Sequence, residues 1–275
     1  MKNSHKIALI FTLLIIVNIN SQEKLKGNKE VKTENRDISD FNKIEVIDDL
    51  DVELVFKEKQ SVSVETDSNL QSSVITEVIN GTLSIKLNNK IVRKKELIVY
   101  IGVNEKLRGI DSYNNSNIKS KISILIDTLS INAFDNSDVD LKLNSKQVKI
   151  NSKKNSDLDL EISTNSISIL AEESSEIKGT IEASETQINL MDRSSLNISG
   201  STNNLEIETL DNSTFKGKDY KAKTAILNAT NSSNAYINSQ KTIEIFAKNS
   251  SAVYLYGTPI IKLTEFFDKA TLYKK

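Results

Sequence analysis

From residue 107 to residue 275 the chain runs in short alternations of apolar and polar residues, and the alternation repeats. The main apolar residue of each copy serves as an anchor: Ile110, Ile131, Ile150, Ile169, Ile188, Ile207, Leu227, Ile245 and Leu263. The anchors are spaced by 21, 19, 19, 19, 19, 20, 18 and 18 residues. Six residues beyond them stand Ser116, Ser137, Ser156, Ser175, Ser194, Ser213, Ser233 and Ser251, with Lys269 in the ninth copy. Eight residues beyond, the column reads Ile118, Val139, Leu158, Ile177, Leu196, Phe215, Ala235 and Val253, with Thr271 last. Serine is 34 of 275 residues, so eight consecutive matches in one column are a repeat signal and not chance.

The period selects the architecture. A unit of about 19 residues with two short strands and no helical pattern is too short for a propeller blade or a helical repeat. It suits one coil of a parallel β-helix, where each strand pairs with its equivalent about 4.8 Å along the axis. Alternation sends every second residue inward, so the apolar columns build the interior. The small residues two beyond the anchor (Ala133, Ser152, Ala171, Thr209, Ala229, Ala247) fit a narrowing before a corner. The serine column shares this inward parity and reads as a corner ladder, each hydroxyl donating to its neighbour or to a carbonyl. The residue before it is often Asn or Ser, which turn the chain through local side-chain bonds, and Asn tolerates left-handed backbone. The expected fold is all-β: a single-stranded parallel β-helix, right-handed, of about nine coils. The absence of the hexapeptide spacing of left-handed helices is the reason for that hand.

Upstream the rhythm is less regular. Lys2, His5 and Lys6 precede the apolar run Ile7–Val17, then Asn18-Ile19-Asn20-Ser21. Eleven residues of helix reach about 16 Å, short of a bilayer core of about 30 Å. Residues 1–21 therefore read as a secretory signal peptide. No later run is long and apolar enough for a transmembrane helix. Residues 22–37, rich in Lys and Glu, read as a flexible leader. Residues 38–106 read as irregular β structure capping the coils, with strands near 44–46, 52–56, 62–64, 74–78, 82–87 and 97–101. Asn80-Gly81 is the hairpin signal between two of them. Residues 107–275 carry the repeats, with Phe266, Phe267 and Lys269 assigned to a C-terminal cap, because an open coil end exposes apolar surface and strand edges.

Composition narrows the chemistry. Cys and Trp are absent and the single His is His5, which leaves with the signal peptide. A thiol nucleophile, disulfide framework, Ser-His-Asp triad and His-ligated metal are thereby excluded from the exported chain. Charge is balanced, 36 basic against 37 acidic residues, so there is no footprint for nucleic acid. Ser and Asn together, 34 and 30 residues, replace the scarce turn-formers Gly (8) and Pro (1).

The string Phe41-x-x-Ile44-x-Val46, Val62-x-Val64, Asn80-Gly81-Thr82-Leu83-Ser84-Ile85, Leu97-x-Val99-x-Ile101 and Leu107 resembles the auto-transporter adhesin head GIN domain family, a family of unknown function. Where that family often carries a Gly-containing turn, this chain reads Tyr113-Asn114-Asn115-Ser116. The resemblance covers roughly residues 38–275. It implies a β-helix, export in Bacteroidetes, and no established catalytic residues.

Carboxylates are the remaining acid–base chemistry. Asp138, Asp157 and Glu176 fall one coil apart, with Asp140 and Asp159 beside them, so a carboxylate ladder could take Ca²⁺ or supply a glycosidase-like pair. Turn composition and neighbouring Lys119, Lys142 and Lys178 explain the same residues without a ligand. Tyr236, Tyr254, Tyr256 and Tyr273 gather on the last coils, either as packing or as a surface for sugar rings or a partner. No catalytic or cofactor-binding residue is expected. The leading expectation is a non-enzymatic exported module of the cell envelope, for adhesion or interaction with an envelope protein or glycan, placed in the periplasm, at the outer membrane or on the surface. A polysaccharide-active lyase or hydrolase is the alternative, and it should show as a long inserted loop, whereas no coil exceeds its neighbours by more than two residues. A periplasmic structural or sensory component is the third reading. The architecture predicts a β-rich circular dichroism spectrum and an elongated particle in solution scattering; a helix-rich spectrum would refute it.

Overall fold

The computed structural model describes residues 24–275; the signal peptide expected over residues 1–21 lies outside the described residues. The chain is an all-β solenoid of about nine turns with coils of about 19 residues, preceded by an irregular β region. Long strands follow one another with the expected register: Val139 pairs with Leu158, Ile150 with Ile169, Ile188 with Ile207, and Leu227 with Ile245, all parallel. Anchors from Ile110 to Ile245 are fully or almost fully buried, as are the apolar residues eight positions on. The column two beyond the anchor is buried too, and is small except at Leu190.

From Ile110 onward, the corner between the two strands of each coil is made the same way. Two consecutive residues adopt positive φ, for example Asn114 (54°) and Asn115 (63°), Asp135 and Asn136, Lys154 and Asn155, Asp192 and Arg193. The amide of the serine that follows closes the turn on the carbonyl three residues back, as from Ser213 to Leu210 at 3.0 Å. Two central residues with positive φ define a type I′ turn, which Gly and Asn favour. Here Lys, Glu and Arg also occupy it. The stacking compensates: the amide of Asn136 donates to Lys154 O at 3.0 Å and that of Asn155 to Glu173 O at 3.1 Å, so each strained corner is held by the next coil.

The serine hydroxyls are buried at every copy. They do not form a ladder with one another. Ser156 Oγ donates to Ala133 O at 2.9 Å, Ser175 Oγ to Ser152 O at 3.0 Å and Ser213 Oγ to Leu190 O at 3.0 Å, each reaching the residue two beyond the anchor in the preceding coil. Ser116 meets Ser112 Oγ at 2.7 Å, and Ser233 meets Thr209 Oγ1 at 3.0 Å. Ser137, Ser194 and Ser251 have no partner for Oγ among the described residues. The hydroxyls are therefore satisfied for part of the column only, and by groups outside it.

Four expectations are corrected. First, the leader is not flexible from Lys24 onward. Lys24–Lys26 pairs with Lys90–Arg93, and Val31–Arg36 pairs antiparallel with Ser61–Asp67. Buried Asp67 locks it in place. Burial opposes its charge, but amides of Lys95, Lys29 and Glu96 donate to the carboxylate and hold it below its ordinary range. Second, part of the irregular region is a true coil. Ile44 stacks on Ile110 and Val52 on Ile118, while Leu83 and Val99 form the layer beyond. Leu50 stands there at the serine position, buried. Third, a bulge between Leu263 and Glu265 adds a residue to the last coil, so Leu272, not Thr271, follows Val253 in the apolar column. Ala270, not Lys269, then falls at the serine position; Lys269 is in the turn, at φ 63°. Fourth, the expected C-terminal cap is only partly seen: Phe266 packs half-buried on the core, but Phe267 is exposed, and among the described residues Ile260–Phe266 pairs only with the preceding coil. The two strand groups therefore end differently, covered at one end and open at the other.

The directional bonds of the serine column give a discriminating pair of variants. Ser175→Ala should lower unfolding free energy by about 1 kcal/mol, because a buried hydrogen bond is lost. Ser194→Ala should be about neutral, because its hydroxyl is unpaired already. Urea unfolding of the two variants side by side reads the difference, and equal losses would contradict the bonding described.

Candidate interaction face

The second strand of every coil carries two outward columns, seven and nine residues beyond the anchor. Parallel pairing stacks them: Asp138 with Asp157 and Glu176, Asp140 with Asp159 and Lys178, then Asn197 with Lys216, Tyr236 and Tyr254. One flat face thus changes character along the axis, acidic in the middle and aromatic towards residue 273.

The carboxylate ladder exists as anticipated. Asp138, Asp157 and Glu176 line a shallow open depression of about 300 Å³ with Asp140, Asp159 and Lys178. Burial first, then the charges of Asp138 and Glu176, push the Asp157 carboxyl above its ordinary range. Lys178 lies 3.3 Å from Asp159 and so is drawn into the stack, while Lys142 pairs with Glu161 at 2.7 Å in the neighbouring column. Lys119 pairs in register with Asp140. The carboxylates point outward in a row. Among the described residues, no group of three or more His, Cys, Asp or Glu side chains is arranged to hold a metal ion, the Asp138–Asp157–Glu176 set included.

The tyrosines also stack. Tyr236 and Tyr254 lie 4.4 Å apart between centroids at 5°, and Tyr254 and Tyr273 lie 4.9 Å apart at 14°. Lys275 Nζ sits 5.6 Å from the Tyr254 ring and 5.8 Å from that of Tyr273. Burial, then the neighbouring Tyr254, raises the Tyr236 phenol above its ordinary range. Tyr256 occupies the next outward column. With Tyr236, Asn197, Thr214, Asn234, Lys216 and Lys218 it borders a depression of about 510 Å³. The rings thus stack as one ladder on an exposed sheet and not around a cap.

Two features escaped the sequence reading. The outward side of the first strands forms an open groove of about 820 Å³ running across the coils from Gln147 to Ile260. Its signal was the column three before the anchor, polar from Gln147 to Thr242 and small at Ser166, Asn204, Thr224 and Thr242. Inside the solenoid, Tyr220 is fully buried, with its OH 2.7 Å from Thr186 Oγ1, which donates to Thr202 Oγ1 at 3.1 Å. Burial raises its phenol to about 12. It is turned inward by the register shift between Gly217 and Lys221. It pairs opposite Gly200, at φ 115°, where any side chain would collide with the Ile181 carbonyl. This cluster is closed, and its polar atoms satisfy one another.

These features define a β-helix with a ladder face. The sequence matches the family described as "Putative auto-transporter adhesin, head GIN domain" over residues 40–165 and 147–259, and the chain belongs to that family. Three crystal structures are similar in fold. They are a "putative adhesin" from Parabacteroides merdae (17% identity, TM-score 0.66), a "putative adhesin" from Parabacteroides distasonis (18%, 0.67), and a "putative lipid binding protein" from Parabacteroides distasonis (19%, 0.64). Each comparison covers 92% of this chain and 100% of the other. At these identities the likeness is one of fold. A comparison with curated proteins finds no match. No helix among the described residues is long and apolar enough to cross a membrane. Membership of an auto-transporter adhesin family implies an exported protein.

The acidic stack has a pH signature. The folded-state pKa of Asp157 is raised, so the folded protein binds the proton more tightly than the unfolded chain. Its contribution falls as pH rises through the window above its ordinary 3.8, and the penalty is complete above the folded value. Asp157→Asn should therefore melt higher than the native chain at neutral pH, the gain vanishing below pH 3.8. Melting curves across pH check the sign.

Proposed function

We propose that the chain is a non-enzymatic exported module of the cell envelope, and that its ladder face binds glycan in an adhesion or interaction role. One observation carries this reading: the stacked Tyr236–Tyr254–Tyr273 ladder on an exposed sheet, bordered by Lys216, Lys218, Asn197 and Asn234. Tyrosine offers an apolar ring for the C–H face of a sugar and a hydroxyl for hydrogen bonding. Lys and Asn provide donors and acceptors for hydroxyl or carboxylate groups. A solenoid holds these groups at a fixed spacing, which suits a repeating polymer. Family membership and its implied export agree with such a role. Against catalysis stands the chemistry available: no Cys, and no His except His5. The acidic row also lies open to solvent.

The exported protein should retain glycans on an array, and Tyr254→Ala should weaken retention about tenfold while leaving the melting temperature within a few degrees, the size of one aromatic stacking contact. Release of new reducing ends, lost in an Asp138/Asp157/Asp159 variant, would replace this reading with a hydrolase or lyase. Protection of the protein from protease added to intact cells would remove direct adhesion and leave a periplasmic role.

A further inference from the structure

The two ends of the solenoid are finished differently. At the end nearest residue 83, both strand stacks are covered by antiparallel strands. Val74–Ile79 runs against Thr82–Leu87, and Ser61–Asp67 runs against Leu97–Val103, with Val31–Arg36 outside it. Leu83 and Val99 beneath are fully buried. At the opposite end, Ile260–Phe266 and Thr271–Lys274 each pair with the preceding coil on one side, and on the other side with nothing among the described residues. Leu263 is 50% exposed and Ile261 is also exposed, whereas their equivalents one coil earlier, Ile245 and Ile243, are buried; Ile260, following outward Thr242, is exposed as well. A long edge with exposed apolar residues is a template for another strand. The covered end shows that coil edges of this solenoid accept antiparallel partners.

We propose that a second copy of this chain covers this end, the two solenoids joining tail to tail about a two-fold axis through Ile260–Phe266. The charge pattern of the edge favours self-pairing. Lys262 and Glu265 pair with Glu244 and Phe246 of the preceding coil, so both face outward. Lys262 reaches Glu244 at 3.1 Å, and Glu265 has no cationic partner among the described residues. Antiparallel pairing centred between Leu263 and Thr264 sets Lys262 of each copy opposite Glu265 of the other, twice over. The same register sets Ile261 opposite Phe266, both on the inward side. Lys262 alone would blunt the edge, as single lysines do on other edges; in this register it becomes half of a pair. The other end finishes differently, in the antiparallel strands Val74–Ile79 and Val31–Arg36, and a two-fold pairing of like ends uses up the open edge of both copies, so the assembly closes at two. Such a dimer would hold two tyrosine ladders in one particle, but its formation does not depend on what they bind.

Sedimentation velocity of the purified exported chain should show a dimer. Glu265→Lys and Lys262→Glu place like charges opposite one another, and each should weaken dimerisation by at least about tenfold with an unchanged circular dichroism spectrum. Mixing the two variants restores both Lys–Glu pairs and should restore the dimer. Because the chain has no Cys, Thr264→Cys reports the axis directly and should oxidise to a covalent dimer and nothing larger. A monomeric native chain, a dimer indifferent to both charge reversals, a mixture that stays monomeric, or a ladder of higher oligomers would each overturn the proposal. A variant that dimerises normally yet binds no glycan would separate this interface from the ladder-face reading.

Discussion

The structure depends on a corner that the coils from Ile110 onward turn in the same way. Two adjacent residues in the left-handed region reverse the chain, and the amide of the second donates to the carbonyl of the first in the following coil. Flanking residues donate back to the preceding coil, as from Phe134 to Ser112 and from Asp138 to Ser116. The backbone ladder therefore passes through the corner without a gap. Left-handed backbone is unfavourable for Lys, Glu or Arg taken singly. It is tolerated here because each corner is a rung between two others. This locks the register, and with the register come all the side-chain columns.

The columns explain how one scaffold separates interior from surface chemistry. Inward columns are apolar or small, with serine where the corner narrows. Outward columns are free to vary, since nothing packs on them. Along one face they change from carboxylate to tyrosine without altering the coils beneath. Interior departures are compensated locally. Tyr220 enters opposite Gly200 and finds two threonine hydroxyls, so an oversized polar residue fits without an unpaired OH.

Most of the repeat was legible because a parallel helix converts sequence period directly into contact. Ile150 touches Ile169 because they occupy equivalent places in successive coils. The serine column, the carboxylate row and the tyrosine row followed from the same rule. Legibility failed where neighbours in space are not neighbours in period. The coil of Ile44 and Val52 stacks between those of Leu83 with Val99 and Ile110 with Ile118, so chain order and stacking order differ. The charged segment from Lys24 looked unstructured because its apolar content is low. It is held instead by strand pairing and by Asp67, a buried acid 37 residues from Glu30, whose carbonyl also anchors Ser68. A one-residue bulge near Thr264 moved the last columns by a place, and alternation alone does not reveal a bulge.

By itself the sequence determined the class of fold, the coil length, the inward and outward columns and the absence of thiol chemistry, because each follows from residue type and spacing. The tertiary structure decided the order in which the coils stack and which serine hydroxyls find a carbonyl. It also decided how the tyrosine rings lie on one another, and which end of the helix is covered. Those outcomes depend on contacts between segments distant in the chain and on angles at single residues. A one-dimensional pattern records neither, since the same alternation is compatible with a covered edge or an open one.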